Sequence, residues 1–318
     1  MKNAAWLNLA SLVLVNLLWA AQYPAYKIAG DRMEAGALNF WTLLFASLLL
    51  LPLWFRQRRQ KQWSAESHLK TLGEYLLLGI LGIVPPSVML SWGISHSSAS
   101  NAAILSLTIP GLMTMLGVFM LGEKLTLIRI FSLILGLAGT LLISTNDLSQ
   151  ASFDRALLAG NSVILIAGLG SAFYNTYSKD LLNRYSELDV LLYSYAVGAA
   201  ACAIISASAE NRPFYHVMGY SVRIWLAIGI LGVLSWGVAM ILWMWVLKRL
   251  EVGQVSVSIY LLPFFGLLLS ILSVHDRMTL PQIVGGLLTV ASTASLTLFE
   301  SRRAGSVQDP ANIVEEKL

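Results

Sequence analysis

The sequence predicts an all-α integral membrane protein with ten transmembrane helices in two inverted five-helix repeats, and three observations carry that reading. Apolar residues make up 57% of the 318 residues and charged ones 12%, with a mean hydropathy of +0.69, far from the balance of a soluble domain. Nine charge-free runs are long enough to cross a bilayer, and one of them is long enough to cross twice. Finally, the stretch 99–126 returns 153 residues later as 252–279: Pro110 falls on Pro263, Glu123 on Asp276, Lys124 on Arg277 and Thr126 on Thr279. An internal repeat of this size decides an architecture before any single motif does.

The runs span 3–26, 35–55, 75–122, 130–146, 156–178, 190–209, 224–247, 252–275 and 278–299. A helix needs about 20 apolar residues to cross the hydrocarbon. The run 75–122 therefore has to fold back once, at the polar Ser95-His96-Ser97-Ser98, which makes ten spans. In lipid only helices and closed barrels satisfy every backbone group, and runs this long and continuous are helical. The first run imitates a secretory signal through Lys2 and Trp19-Ala20-Ala21. It is far longer than the roughly 7 to 15 residues of a signal core, and Lys27 closes it as a true span.

Orientation follows from Lys and Arg in alternate connections. With the N-terminus inside, the cytoplasmic segments hold 15 of them and the opposite side 6, which places both termini in the cytoplasm. The net charge of +4 is thus a topology signal and gives no reason to expect nucleic acid. Cys202 is the only cysteine, so an intrachain disulfide is excluded.

The first repeat is expected over 4–146 and the second over 156–299, with 300–318 as a short, disordered cytoplasmic tail. Beyond the opening stretch, Ala20, Tyr26 and Lys27 recur as Ala172, Ser178 and Lys179, and Gly79-Ile-Leu-Gly82 recurs as Gly229-Ile-Leu-Gly232. Small residues line one face of span five, at Ser132, Gly136, Thr140 and Ser144, and their mates in span ten are Gly285, Thr289, Thr293 and Thr297. Such faces let helix backbones approach closely in lipid, so each is expected to meet a neighbour, within the chain or across a homodimer. Five spans per copy is an odd number, so the second copy enters the membrane from the opposite side. Inverted repeats of this kind build transporters, with the site near the midplane.

The segment Leu18-Trp19-Ala20-Ala21-Gln22-Tyr23-Pro24-Ala25-Tyr26-Lys27, the run from Ala99 through Pro110 to Gly122-Glu123-Lys124-Leu125-Thr126, and its echo ending in Asp276 resemble the EamA-type transporters of the drug/metabolite transporter superfamily. The resemblance covers nearly the whole chain. It departs from the family pattern at Ala20, where a glycine is usual, and at Asp276, where a glutamate is. It implies ten helices in two inverted halves, a bacterial inner membrane, and export of amino acids or related metabolites. It also implies that spans one, three, four, six, eight and nine surround the cavity.

A polar group inside a span needs a partner or a water-filled cavity. On that ground the substrate-binding candidates are Trp19, Gln22, Tyr23, Trp92, Asn101, Tyr174, Asn175, Trp236, Trp243 and Tyr260. Trp6, Trp54, Trp63 and Trp225, nearer span ends, read instead as interfacial belt residues. Lys27 and Lys179 are mates at opposite interfaces, where a lysine either snorkels or gates. Glu123 and Asp276 read as interface locks working through basic neighbours, and Pro110 and Pro263 as paired hinges in broken helices.

An enzyme would need a catalytic constellation. The four histidines, His68, His96, His216 and His275, fall in or beside connections with no acid or cysteine in helical register, and neither a metal site nor a cofactor is expected. No phosphate-binding Gly-Lys loop supplies ATP drive, and a channel or receptor leaves the mirrored polar positions unexplained. A cationic-drug exporter is the alternative, supported by aromatics and opposed by the lack of a carboxylate at the span centres.

Overall fold

The structure, a computed structural model, describes residues 2–59, 68–152, 154–217, 219–274 and 279–307. The described residues are almost entirely helical, without a strand. Among the described residues nine helices are long and apolar enough to cross a membrane: α1 (Ala5–Gly30), α2 (Ala35–Arg58), α3 (Thr71–Ser95), α4 (Ser100–Leu121), α6 (Arg155–Leu181), α7 (Glu187–Ala209), α8 (Val222–Arg249), α9 (Val252–Leu269) and α10 (Leu280–Glu300). Between α4 and α6 lies the shorter apolar α5 (Leu127–Ile143). Its 17 residues sit at the lower bound for a crossing, which brings the spans to ten.

Several boundaries differ from the charge-free runs, for one reason: paired charges are carried inside the helices. Span α3 starts before Glu74, which is buried because Arg184 and the Tyr185 hydroxyl bind its two oxygens. Span α5 starts at Leu127 and so takes Arg129 into the helix. The helix carrying α10 runs on to Val307, so the segment expected as a disordered tail from residue 300 begins as helix.

The two repeats interlock. Span α6 packs on α3 and α4 of the first repeat, while its mate α1 packs on α8, α9 and α10 of the second. Spans α2 and α7 pair antiparallel at the rim, where the Glu210 carboxylate at the end of α7 accepts the first amides of α2, from Gly36 and Ala37. A carboxylate there satisfies orphan amides and meets the positive end of the helix dipole.

Both repeats carry the same irregularities. A π-helical segment interrupts α3 at Pro85–Met89 and α8 at Leu231–Ala239, in register with the Gly-Ile-Leu-Gly repeat. Such widened turns are rare and collect at functional sites. Span α4 is broken between Ala99–Ser106 and Ile109–Leu121, with Pro110 in the first turn of the second segment, where a proline costs no hydrogen bond. Span α9 passes through a 3₁₀ turn, Val257–Tyr260, before the helix that carries Pro263. The Tyr260 hydroxyl, in one break, donates to the Leu107 carbonyl, in the other, at 3.3 Å.

The small faces of α5 and α10 meet each other within the chain. A Cβ on Gly285 would lie 2.4 Å from the Gly139 carbonyl oxygen, and one on Gly139 would lie 2.7 Å from that of Gly285. The Ser292 hydroxyl donates to the Ser132 carbonyl at 2.6 Å. A homodimer contact through these two spans is therefore left with their outward apolar sides, where Phe131, Ile134 and Leu287 are exposed. Because the nearest atom to each glycine is a backbone carbonyl oxygen, which cannot swing aside as a side chain can, Gly285→Val is expected to force α5 and α10 apart. Membrane abundance and the thermal midpoint in detergent should both fall, and unchanged values would refute this packing.

Candidate functional site

Indole, amide and phenol groups gather where α1 crosses α8 and α6 runs alongside. The rings of Trp19 and Trp243 sit 4.9 Å apart, tilted by 51°. The Trp243 indole N–H donates to Asn175 Oδ1 at 2.6 Å, and Asn175 Nδ2 donates to the Ser171 carbonyl at 2.8 Å. Trp243 is fully buried and Asn175 nearly so.

The π-helical segment of α8 supplies backbone acceptors to this cluster. Trp19 Nε1 donates to the Ser235 carbonyl at 3.2 Å, and the Tyr195 hydroxyl to the Trp236 carbonyl at 2.7 Å. Trp236 in turn donates from Nε1 to the Tyr26 hydroxyl at 3.1 Å. A regular helix would keep those carbonyls in its own ladder; a widened turn leaves room for donors from α1 and α7. Tyr174 is buried beside Ser194, with their hydroxyl oxygens 3.3 Å apart.

Three polar atoms here have no hydrogen-bond partner although they are buried: Asn16 Oδ1, Thr176 Oγ1 and Ser235 Oγ. They sit one turn before Trp19, next to Asn175 and on the residue whose carbonyl Trp19 binds. Leaving such an atom unpaired costs about 1–3 kcal/mol, so each marks a position where a polar partner would be welcome.

The other candidates lie elsewhere. Asn101 is buried at the far end of α4 and fully engaged: its Nδ2 lies 2.9 Å from Ser97 Oγ, 2.5 Å from the Ser152 carbonyl and 2.9 Å from Asn161 Oδ1, and its Oδ1 accepts from Ser152 N. Trp92 is 46% exposed and stacks on the His96 imidazole, 3.9 Å between ring centroids. Tyr260 bridges the two helix breaks, as described, and its ring abuts Gly136. Gln22 is half-buried at the start of the second segment of α1, Gln22–Gly30. Asp276 and the side chain of Tyr23 lie outside the described residues.

Charge concentrates at the α4–α5 end. The Glu123 carboxylate accepts the first two amides of α9, Val252 N at 2.5 Å and Gly253 N at 2.9 Å. Arg129, 4% exposed, reaches Glu123 at 3.6 Å and Glu251 at 2.6 Å, binds Glu300 through Nε and Nη2 at 2.7 and 2.9 Å, and donates to the Lys124 carbonyl. Burial outweighs the two amides and the guanidinium, so the Glu123 carboxyl lies above the usual carboxylate range, with Glu251 adding to the shift. At the same end, Lys179 Nζ donates to the Leu247 and Lys248 carbonyls, at 2.8 and 3.0 Å, closing α6 onto the end of α8. Its mate Lys27 is exposed, without a hydrogen bond or ion pair among the described residues. The sequence signal that could have found the Arg129 cluster was weak: Arg129 and Glu300 are 171 residues apart and each member resembles an ordinary span-end charge.

The sequence matches the EamA-like transporter family twice, over residues 6–145 and over 158–298. The chain belongs to the EamA-like transporter family. The two matches correspond to the two five-helix halves, and the protein is a multi-pass membrane transporter of that family. Among its EamA-like relatives is an uncharacterized transporter, YoaV, of Bacillus subtilis (strain 168), 24% identical over 92% of this chain and 97% of its own length. A probable terminal-alkyne amino-acid exporter of Streptantibioticus cattleyicolor is 25% identical, covering 96% of this chain and 98% of its own. An uncharacterized inner membrane transporter, YicL, of Salmonella typhimurium is 23% identical over 93% and 97%. A solved crystal structure shares the fold with a TM-score of 0.76 over 96% of this chain and 99% of its own, at 18% identity.

Proposed function

We propose that this EamA-like transporter exports amino acids or related small metabolites across a bacterial inner membrane, by alternating access between its two halves and with both termini in the cytoplasm. The observation that carries this reading is the buried Trp19–Asn175–Trp243 cluster, with unpartnered buried polar atoms on the nearby residues Asn16, Thr176 and Ser235. Amide, hydroxyl and indole groups match the ammonium and carboxylate of a zwitterion, or the polar edge of a neutral metabolite, without imposing a net charge. The likeness to a probable amino-acid exporter points the same way. Substrate binds where α1 and α6, related by the repeat, each cross into the other half.

Aromatic faces at the same place favour a second reading, a cationic-compound exporter. Against it, no carboxylate takes part in the cluster. Inside-out vesicles loaded from labelled amino acids, sugars and organic cations separate the two. Amino-acid accumulation is the expected result; accumulation of organic cations alone would establish the second reading, and uptake seen only in right-side-out vesicles would refute export.

The position of Glu123 supports a lock and not a proton carrier: both oxygens are tied to the first turn of α9 and one also faces Arg129. Facilitative or weakly coupled transport follows from that assignment.

A further inference from the structure

The two lysine mates are used unequally. Lys179, at the inner end of α6, caps the end of α8 by donating to the Leu247 and Lys248 carbonyls, which the helix leaves without amide partners. An ammonium there also meets the negative end of the helix dipole. Lys27, at the outer end of α1, is exposed and caps nothing among the described residues. In the first repeat the helix corresponding to α8 is α3, whose last turn ends at Ser95.

The end of α3, which the topology proposed above puts on the same side as Lys27, carries exposed polar groups. Ser91, Ser95 and His96 of α3 and Thr108 at the break in α4 are all exposed. Polar side chains on membrane-spanning helices face protein or a water-filled cavity in preference to lipid, so this end of the cleft is wet. The opposite end is sealed twice, by Lys179 and by Glu123 on the first amides of α9. Repeats built on one plan can exchange conformations, and a contact made in one half then becomes available in the other.

We propose that Lys27 is the outer lock of a reciprocal pair: when the outer mouth closes, its ammonium caps the last turn of α3, whose Trp92, Gly93 and Ile94 carbonyls accept the His96 and Ser97 amides here, and Lys179 releases the carbonyls of α8. The two lysines are positioning residues that hold alternate faces shut, and the conformation seen here is the one that Lys179 holds. This rests on the alternating-access reading with cytoplasmic termini.

The test is the rate at which an impermeant maleimide modifies a single cysteine at Ser91, in a Cys202→Ala background, on intact cells and on inverted vesicles. Lys179→Gln removes the inner lock and should slow the reaction about tenfold, equivalent to about 1.4 kcal/mol of population shift. Adding Lys27→Gln should restore the parent rate to within about threefold, because neither face is then locked. Lys27→Arg in its place should leave the rate slow, since the charge is retained. No slowing by Lys179→Gln, or no restoration by Lys27→Gln, overturns the proposal. Should the membrane orientation be the reverse, the same pattern of rates appears in inverted vesicles and not in cells, which corrects the topology and leaves the paired lock standing.

Discussion

Arg129→Met is expected to cost the protein about 3–5 kcal/mol, the usual consequence of removing one partner from a buried ion cluster. The guanidinium answers three carboxylates, and two of them, Glu123 and Glu300, have side chains only 6% and 12% exposed. Without it these acids either stay charged and unpaired or take up protons. Membrane abundance and the thermal midpoint in detergent should both drop, and Glu123→Gln should recover part of the loss, because the amide keeps an acceptor for the start of α9 and removes one charge.

The pH dependence has a defined sign. In the folded protein the Glu123 carboxyl sits above its ordinary value because of burial, so the folded state holds that proton more tightly than the unfolded state. Its contribution is complete below the ordinary carboxylate range and is lost as pH rises through the raised value. Glu123→Gln should therefore flatten the fall in thermal midpoint above about pH 4.5. An Arg129→Met protein as stable as the parent, or a pH profile unmoved by Glu123→Gln, would contradict the cluster's role.

What the sequence made legible was whatever leaves a local trace. Ten spans, the fold-back at Ser95 to Ser98, the duplication and the paired prolines all follow from hydropathy and spacing, and the helix breaks do sit just before Pro110 and Pro263. The π-helical segments left no trace, because a widened turn changes no composition; Pro85 and Pro86 hint at one in α3, but α8 has no proline at its segment. Arg129 reads as one more orientation charge near a span end, and nothing local in the sequence pairs Glu74 with Arg184 or Glu210 with the start of α2. Polarity alone also could not tell an amide that holds two loops together from one that faces a binding cluster.

Asn101 and Asn175 make that distinction testable. Replacing Asn101 by Leu strips four hydrogen-bond contacts from a buried joint between the α3–α4 turn, the loop at Ser152 and α6. Abundance is expected to fall, with transport per molecule kept. Asn175→Leu removes one acceptor, leaving the buried Trp243 N–H without its partner, a cost of about 1–3 kcal/mol that a core packed from both repeats can absorb. Abundance should stay near normal while transport is lost, because the freed indole no longer holds the ring against Trp19 and the amide is gone from the site. Trp243→Phe keeps a ring and drops the N–H, and should lose transport in the same way; Trp92→Ala, exposed and stacked on His96, should keep it. Rates per molecule measured in proteoliposomes decide the matter: full transport by Asn175→Leu, or loss confined to Asn101→Leu, would move the site away from the Trp19–Trp243 pair and toward the Asn101 end of α4.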